Sequence, residues 1–231
     1  MPVTTGQYPN EEHLGRITNY LLGRGGNKTA NHIWTEDATD VYEYIEAVRC
    51  SDEIYDAIHN KFPDYTIKNV RACDELYIAV SPAEAGHSDK SLVEPHYDAP
   101  FGLLQPSNAV FYRVIVACNA NDRVTTNFPN EGVSVVMDTG DFHGLDYNKD
   151  YHFVEGSIPP NNIRVLLKLH YLLTPPDTEP ADWSPSLFEQ LNIGWTKISR
   201  ETMRMSAEPT NIFETVIGGF VETSRKLFNI A

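Results

Sequence analysis

The chain has 231 residues, 41% of them hydrophobic and 22% charged, a balance that suits a globular fold with a sizeable core and excludes a disordered chain. Its 18 basic residues face 32 acidic ones, for a formal net charge of −14, and no basic run is present. That argues against nucleic acid as a partner, because phosphate-backbone binding needs clustered Lys and Arg.

Residues 10 to 62 read as helical. Asn10 precedes "EEHLGRITNYLLG", in which Leu14, Ile17 and Leu21 fall on one stripe and Gly23 is a stop signal. A second helix is expected from Thr35 or Thr39, carrying Val41, Ile45 and Val48. A third follows Ser51, with Ile54, Ile58 and Phe62 at four-residue steps and Pro63 as its end. The pattern changes over about 64 to 173. Short runs rich in Val, Ile, Tyr and Phe, such as "VFYRVIVACN", "GVSVVMDTG" and "IRVLLKLHYLL", are separated by Asn, Asp, Gly and Pro. This is the pattern of an all-β sandwich or barrel. An extension over 174 to 231 opens on the Pro- and Asp-rich connector "TPPDTEPADWSP". A last helix is expected from Asn211, with Glu214 in capping-box position and Phe213, Val216, Ile217, Phe220, Leu227 and Phe228 on one stripe. That stripe suits packing on the β-core, or pairing with a second copy of the chain. No repeat or linker divides the sequence, so residues 1–231 read as a single domain.

Three widely spaced cysteines, Cys50, Cys73 and Cys118, form no CxxC pair and fit reduced, mostly buried thiols. No apolar run approaches the roughly 18 residues of a membrane-crossing helix. The start "MPVTTGQYPNEEHLG" has neither the basic end nor the apolar centre of a secretory signal. The expectation is a cytoplasmic protein without a membrane partner.

The stretch "LVEPHYDAPFG" concentrates the chemistry. In an extended strand His96 and Asp98 project from one face, so a neutral nitrogen donor and an anionic oxygen donor share one space. A metal site needs a third donor, for which His143, His152 and His170 are the downstream candidates. His143 lies in "DTGDFHGLDYN", which reads as a loop, and His152 opens a short β-like run. In "RVLLKLHYLL", Arg164, Leu166, Lys168 and His170 share one strand face, while Val165, Leu167, Leu169 and Tyr171 share the other. The apolar face suits packing against helices. The face with Arg164 then points into the barrel, where a buried guanidinium calls for an anion such as a dicarboxylate.

His96-x-Asp98, then His152, then Arg164, resembles the pattern of the iron(II)- and 2-oxoglutarate-dependent dioxygenases. Thr126-x-Phe128 matches the end of a Gly-Gly-x-Thr-x-Phe stretch found in the prolyl-hydroxylase-like branch, although Asp122 and Arg123 stand where that stretch has glycines. The resemblance spans about residues 70 to 173. It implies an α+β fold, a double-stranded β-helix (jelly-roll or cupin-like) with the N-terminal helices and a C-terminal helix packed on it. It further implies iron(II) held by His96, Asp98 and His152, and 2-oxoglutarate as cosubstrate with its far carboxylate on Arg164. Tyr112 is expected to donate a hydrogen bond to that carboxylate, and Lys168 is the alternative anchor. Ascorbate and dioxygen enter with the same chemistry. The expected activity is hydroxylation of a small molecule or peptide with release of succinate and carbon dioxide. Two other readings suit the same residues: a cupin-like metal enzyme that does not use 2-oxoglutarate, and a catalytically silent β-roll that serves as a binding or scaffold protein.

Overall fold

The structure, a computed structural model, describes residues 3–24, 30–80, 95–106, 108–156, 163–178 and 183–207. The apolar stripe that follows Asn211 in the sequence lies outside them. The first strand, β1 (Thr4–Gln7), leads into α1 (Glu11–Gly23), where the Asn10 side chain accepts from the His13 backbone N–H and Leu14, Ile17 and Leu21 are buried. After β2 (Ala30–Trp34) come α2 (Tyr42–Arg49) and α3 (Asp52–Lys61). Ser51 caps α3 by accepting from Ile54 N–H, and the two helices bury Ile45, Val48, Ile54 and Ile58. The three helices expected over residues 10 to 62 are therefore present. The short strand β2 inside that zone, and β1 just before it, were not expected.

Eight further strands follow: β3 (Thr66–Asn69), β4 (Glu75–Val80), β5 (Val110–Ala117), β6 (Asn121–Phe128), β7 (Val133–Met137), β8 (Asp141–Asp146), β9 (Phe153–Gly156) and β10 (Ile163–Thr174). The large antiparallel sheet runs β1-β8-β5-β10-β4-β2, with β3 also paired to β10. The small sheet runs β7-β6-β9. His96 and His152 form an isolated antiparallel bridge, which adds the 95–98 segment beside the strand that continues into β9. From β4 onward the chain passes from large sheet to small and back: β4, residues 95–98, β5, then β6 and β7, β8, residues 152–156, and β10. That wiring is a double-stranded β-helix.

β3 and β4 use the same edge of β10 in turn, pairing with 171–174 and 163–168 respectively. A short 3₁₀ turn, Arg71–Cys73, separates them and brings Asp74 against the break. There Asp74 Oδ1 accepts the His170 backbone N–H at 2.6 Å, so the interrupted ladder leaves no orphan donor.

The main core lies between the large sheet and the helices and includes Val165, Leu167, Leu169 and Tyr171 of β10. A second core between the sheets contains Tyr77, Ile115, Phe128, Leu145 and Leu166. A third, with Val70, Phe111, Tyr147, Leu172 and Phe188, sits under the last described element, α4 (Ser184–Ala207). The sequence had read as a connector where α4 begins. Cys73 and Cys118 are buried, Cys50 is exposed, and all three are free thiols. No described helix is long and apolar enough to cross a membrane.

Candidate metal centre

His96 and His152 face each other through two mutual backbone bonds, His96 N–H to His152 O at 2.9 Å and His152 N–H to His96 O at 3.0 Å. This pairing sets their ring centroids 4.6 Å apart. One pleat further, Asp98 turns into the same space. Its Oδ1 is 3.9 Å from His96 Nε2, and its Oδ2 is 3.9 Å from His152 Nε2. One ligand atom from each of the three residues lies within 4.8 Å of the others, and this is the only such group among the described residues. All three side chains are buried.

The surroundings prepare them as donors. His152 Nδ1 lies 3.0 Å from the Asp150 carbonyl, so Nδ1 carries the proton and the Nε2 lone pair is presented toward Asp98. Burial by itself would raise the Asp98 carboxyl. The positive charge of Arg113, with His152 and His96 close by, instead holds it well below the usual carboxylate range. Arg113 Nη1 donates to Asp98 Oδ2 at 2.8 Å. The Trp195 indole N–H of α4 donates to the Asp98 carbonyl at 2.9 Å.

Arg164 is buried on the inner face of β10, its guanidinium 5.9 Å from the Tyr77 ring centroid. Lys168, on the same face, stands opposite Glu75 of β4 in register, with Nζ 3.1 Å from Oε1. Burial pushes its pKa down to about 8 in spite of Glu75, and Arg200 and Arg113 add to the shift. Glu75 also accepts two bonds from Arg200, both at 2.7 Å, and lies 2.9 Å from His32 Nδ1. It is held well below the usual carboxylate range: its burial opposes ionisation, and Arg200, Lys168 and His32 outweigh it.

Three expectations are corrected. Tyr112 alternates with Arg113 along β5 and faces the helices. Its ring packs edge-on against Phe62, and its hydroxyl donates to Thr4 Oγ1 at 2.6 Å, so it is turned away from any cosubstrate between the sheets. His143 is not in a loop. It lies in β8, fully buried, with Nδ1 3.2 Å from Met137 Sδ, and burial together with His152 and Arg164 pushes its pKa down to about 3. The glycines that suggested a loop have a packing reason at Gly144, where a Cβ would collide with the Tyr112 hydroxyl. His170, the last candidate for a third donor, is instead wholly buried and has both ring nitrogens engaged, by Arg113 and Asp74.

Glu75, Trp195 and Arg200 were missed. For Glu75 a signal existed in "CDELYIAV", where Glu75, Tyr77 and Ala79 share a strand face that meets the cationic face of β10. Trp195 and Arg200 depend on α4, for which the sequence offered little local evidence.

No protein-family model matches the sequence, and neither does any curated protein. Solved structures do match. A prolyl 4-hydroxylase from Phytophthora capsici is 15% identical, with 94% of this chain and 77% of that one covered at a TM-score of 0.47. A Trichoplax adhaerens prolyl hydroxylase, solved with a hypoxia inducible factor peptide fragment, is 13% identical, with 73% and 83% covered at a TM-score of 0.46. The non-haem monooxygenase ThoJ is 12% identical, with 86% and 97% covered at a TM-score of 0.48.

The likeness is to two prolyl hydroxylases and a non-haem monooxygenase. At these identities it is a likeness of fold alone. The double-stranded β-helix places the His96, Asp98 and His152 group between its two sheets, at the edge of the small one.

Proposed function

We propose that this protein is a non-haem iron(II)- and 2-oxoglutarate-dependent dioxygenase that hydroxylates a small molecule or a peptide side chain. The observation that carries the reading is the meeting of His96, Asp98 and His152 within 4.8 Å inside a double-stranded β-helix. The donor set fits iron(II): two imidazoles and one carboxylate on one side of an ion leave its remaining positions open. The fixed tautomer of His152 supports the same role, since its lone pair already faces the carboxylate.

When bound, iron(II) supplies the activation of dioxygen, coupled to oxidative decarboxylation of 2-oxoglutarate to succinate and carbon dioxide and to hydroxylation of a substrate C–H bond. The remaining work belongs to the protein. His96, Asp98 and His152 hold the ion, and Arg164 receives the far carboxylate of 2-oxoglutarate with two parallel N–H donors. The 3.1 Å contact of Lys168 with Glu75 favours Arg164 over Lys168 for that task. Trp195, bonded to the Asp98 carbonyl, seats α4 beside the ligand segment and limits access of water there. The net charge of −14 favours a cationic or neutral substrate over an anionic polymer.

A succinate-release assay with iron(II), ascorbate and 2-oxoglutarate tests the reading across a panel of peptides and small metabolites. Slow succinate release without substrate, stimulated by one member of the panel and abolished in His96→Ala, is the expected result. Purified protein that takes up no single equivalent of iron(II) refutes it. Activity that is indifferent to 2-oxoglutarate and to Arg164→Ala assigns the site to cosubstrate-free metal chemistry instead.

A further inference from the structure

Arg113 lies between two buried side chains. Its Nη1 donates to Asp98 Oδ2 at 2.8 Å, and its Nε donates to His170 Nε2 at 2.9 Å. A guanidinium has no acceptor, so His170 Nε2 carries the lone pair and the ring proton sits on Nδ1. Nδ1 lies 3.1 Å from Asp74 Oδ1, and Asp74 Oδ2 in turn accepts from Arg49 Nε at 2.7 Å. Arg49, Asp74 and His170 are completely buried. The Arg113 guanidinium also sits 4.4 Å from the Tyr147 ring centroid, with Nη2 3.7 Å from Glu75 Oε1. A continuous file of groups thus runs from the end of α2, through the head of β4, β10 and β5, to Asp98.

We infer that Arg113 is a positioning residue for Asp98, held in its pose by His170 as a fixed Nδ1–H tautomer that is backed by Asp74 and Arg49. The inference rests on the reading of Asp98 as a metal ligand. Because Arg113 engages one lone pair of Oδ2 and draws charge from it, Oδ1 is the better oxygen to bind an ion. A carboxylate with both oxygens free can chelate the ion, occupying a position that a cosubstrate needs. An arginine on its flexible stem samples many rotamers. Two directional bonds and an aromatic ring restrict Arg113 to one. His170 then acts on the metal site through Arg113 without touching it, as groups behind a ligand commonly do.

Two substitutions at His170 separate this role from a purely structural one. The amide nitrogen of Asn matches the position of Nδ1, so His170→Asn keeps a donor toward Asp74 and loses the acceptor for Arg113. The amide oxygen of Gln reaches the position of Nε2, so His170→Gln keeps the acceptor and loses the donor. Cobalt(II), titrated into the full-length protein and followed by its d–d absorption, is the probe, with the thermal midpoint of the metal-free protein measured in parallel. Wild type is expected to bind one equivalent with a spectrum that His96→Ala removes. His170→Asn and Arg113→Gln are each expected to bind about 10–100-fold more weakly, the usual effect of losing a group behind a ligand, and His170→Gln only a few-fold more weakly. Combined with Arg113→Gln, His170→Asn is expected to weaken binding no further.

Equal weakening by His170→Asn and His170→Gln, or additive losses in the double variant, overturns the positioning role while leaving the metal reading intact. If Arg113→Gln fails to fold, the comparison of the two His170 variants still decides. Absence of cobalt(II) binding by wild type removes the metal reading, and the inference with it.

Discussion

The two faces of β10 are comparably buried and are held by different physics. Toward the helices, Val165, Leu167, Leu169 and Tyr171 join the main core, and only the Tyr171 hydroxyl needs a partner, which it finds in the Arg49 carbonyl at 2.9 Å. Toward the small sheet, Arg164, Lys168 and His170 are buried with Leu166 as the one apolar neighbour between them. The first face depends on volume and shape, so removed atoms cost in proportion to the space they leave. The second depends on the identity of each partner, because a charge left alone in a low dielectric is penalised far more than a cavity.

Breaking the inner face at its most buried pair is expected to have the largest effect. Asp74→Ala leaves the buried Arg49 with Glu46 as its remaining carboxylate and removes the acceptor for His170, which should lower stability by about 3–5 kcal/mol, read as a fall in the urea midpoint. On the outer face, Leu167→Ala should cost about 2–4 kcal/mol by the same measurement and leave cobalt(II) affinity unchanged. Equal losses of metal affinity in both variants would erase the distinction between the faces.

Arg164→Met tests function at the mouth of the same face. Loss of a charge-assisted contact of about 1.5–3 kcal/mol is expected to raise the KM for 2-oxoglutarate about 10–100-fold, with a small change in thermal midpoint. The smallest effect is at Lys168. Its pKa is lowered from 10.5 to about 8, so between those values the unfolded chain binds more protons than the folded one, and stability rises with pH. Wild type should gain about 1 kcal/mol between pH 8 and pH 9 from this group, and Lys168→Met should abolish that gain. Parallel stability curves for the two proteins would show that Lys168 titrates normally.

Both faces of β10 were legible in advance, because strand alternation acts on each residue independently of its neighbours in space. The same holds for His96 and Asp98, two positions apart, and for the helices whose apolar residues recur every third or fourth position. What escaped is what depends on contacts from far along the chain. The helix α4 departs from the usual pattern. Its buried side joins Phe188 to the polar Glu189, Asn192, Thr196 and Ser199, while Leu187 and Ile198 are 46% and 64% exposed. Apolar periodicity alone does not find the buried face of such a helix. The polar face is accounted for by its partners: Asn192 with Asn148, Thr196 with Tyr147, and Arg200 with Glu75. The Ser184-Pro185 pair, a helix-start signal inside the supposed connector, was the one local clue. Tyr112 and Arg113 illustrate the same limit. Alternation said that they point opposite ways, yet which one faced the site depended on whether the helices or the small sheet lay on that side.

The reciprocal amide bonds between positions 96 and 152 make spacing of the imidazoles a property of the main chain. A slip of one residue in that pairing would turn a donor out of the sheet, so the same contacts that join two strands also proofread the donor set. Stripping the ion with a chelator should therefore leave both rings side by side, and recharging the emptied protein should proceed without refolding, at a rate governed by how fast the ion arrives.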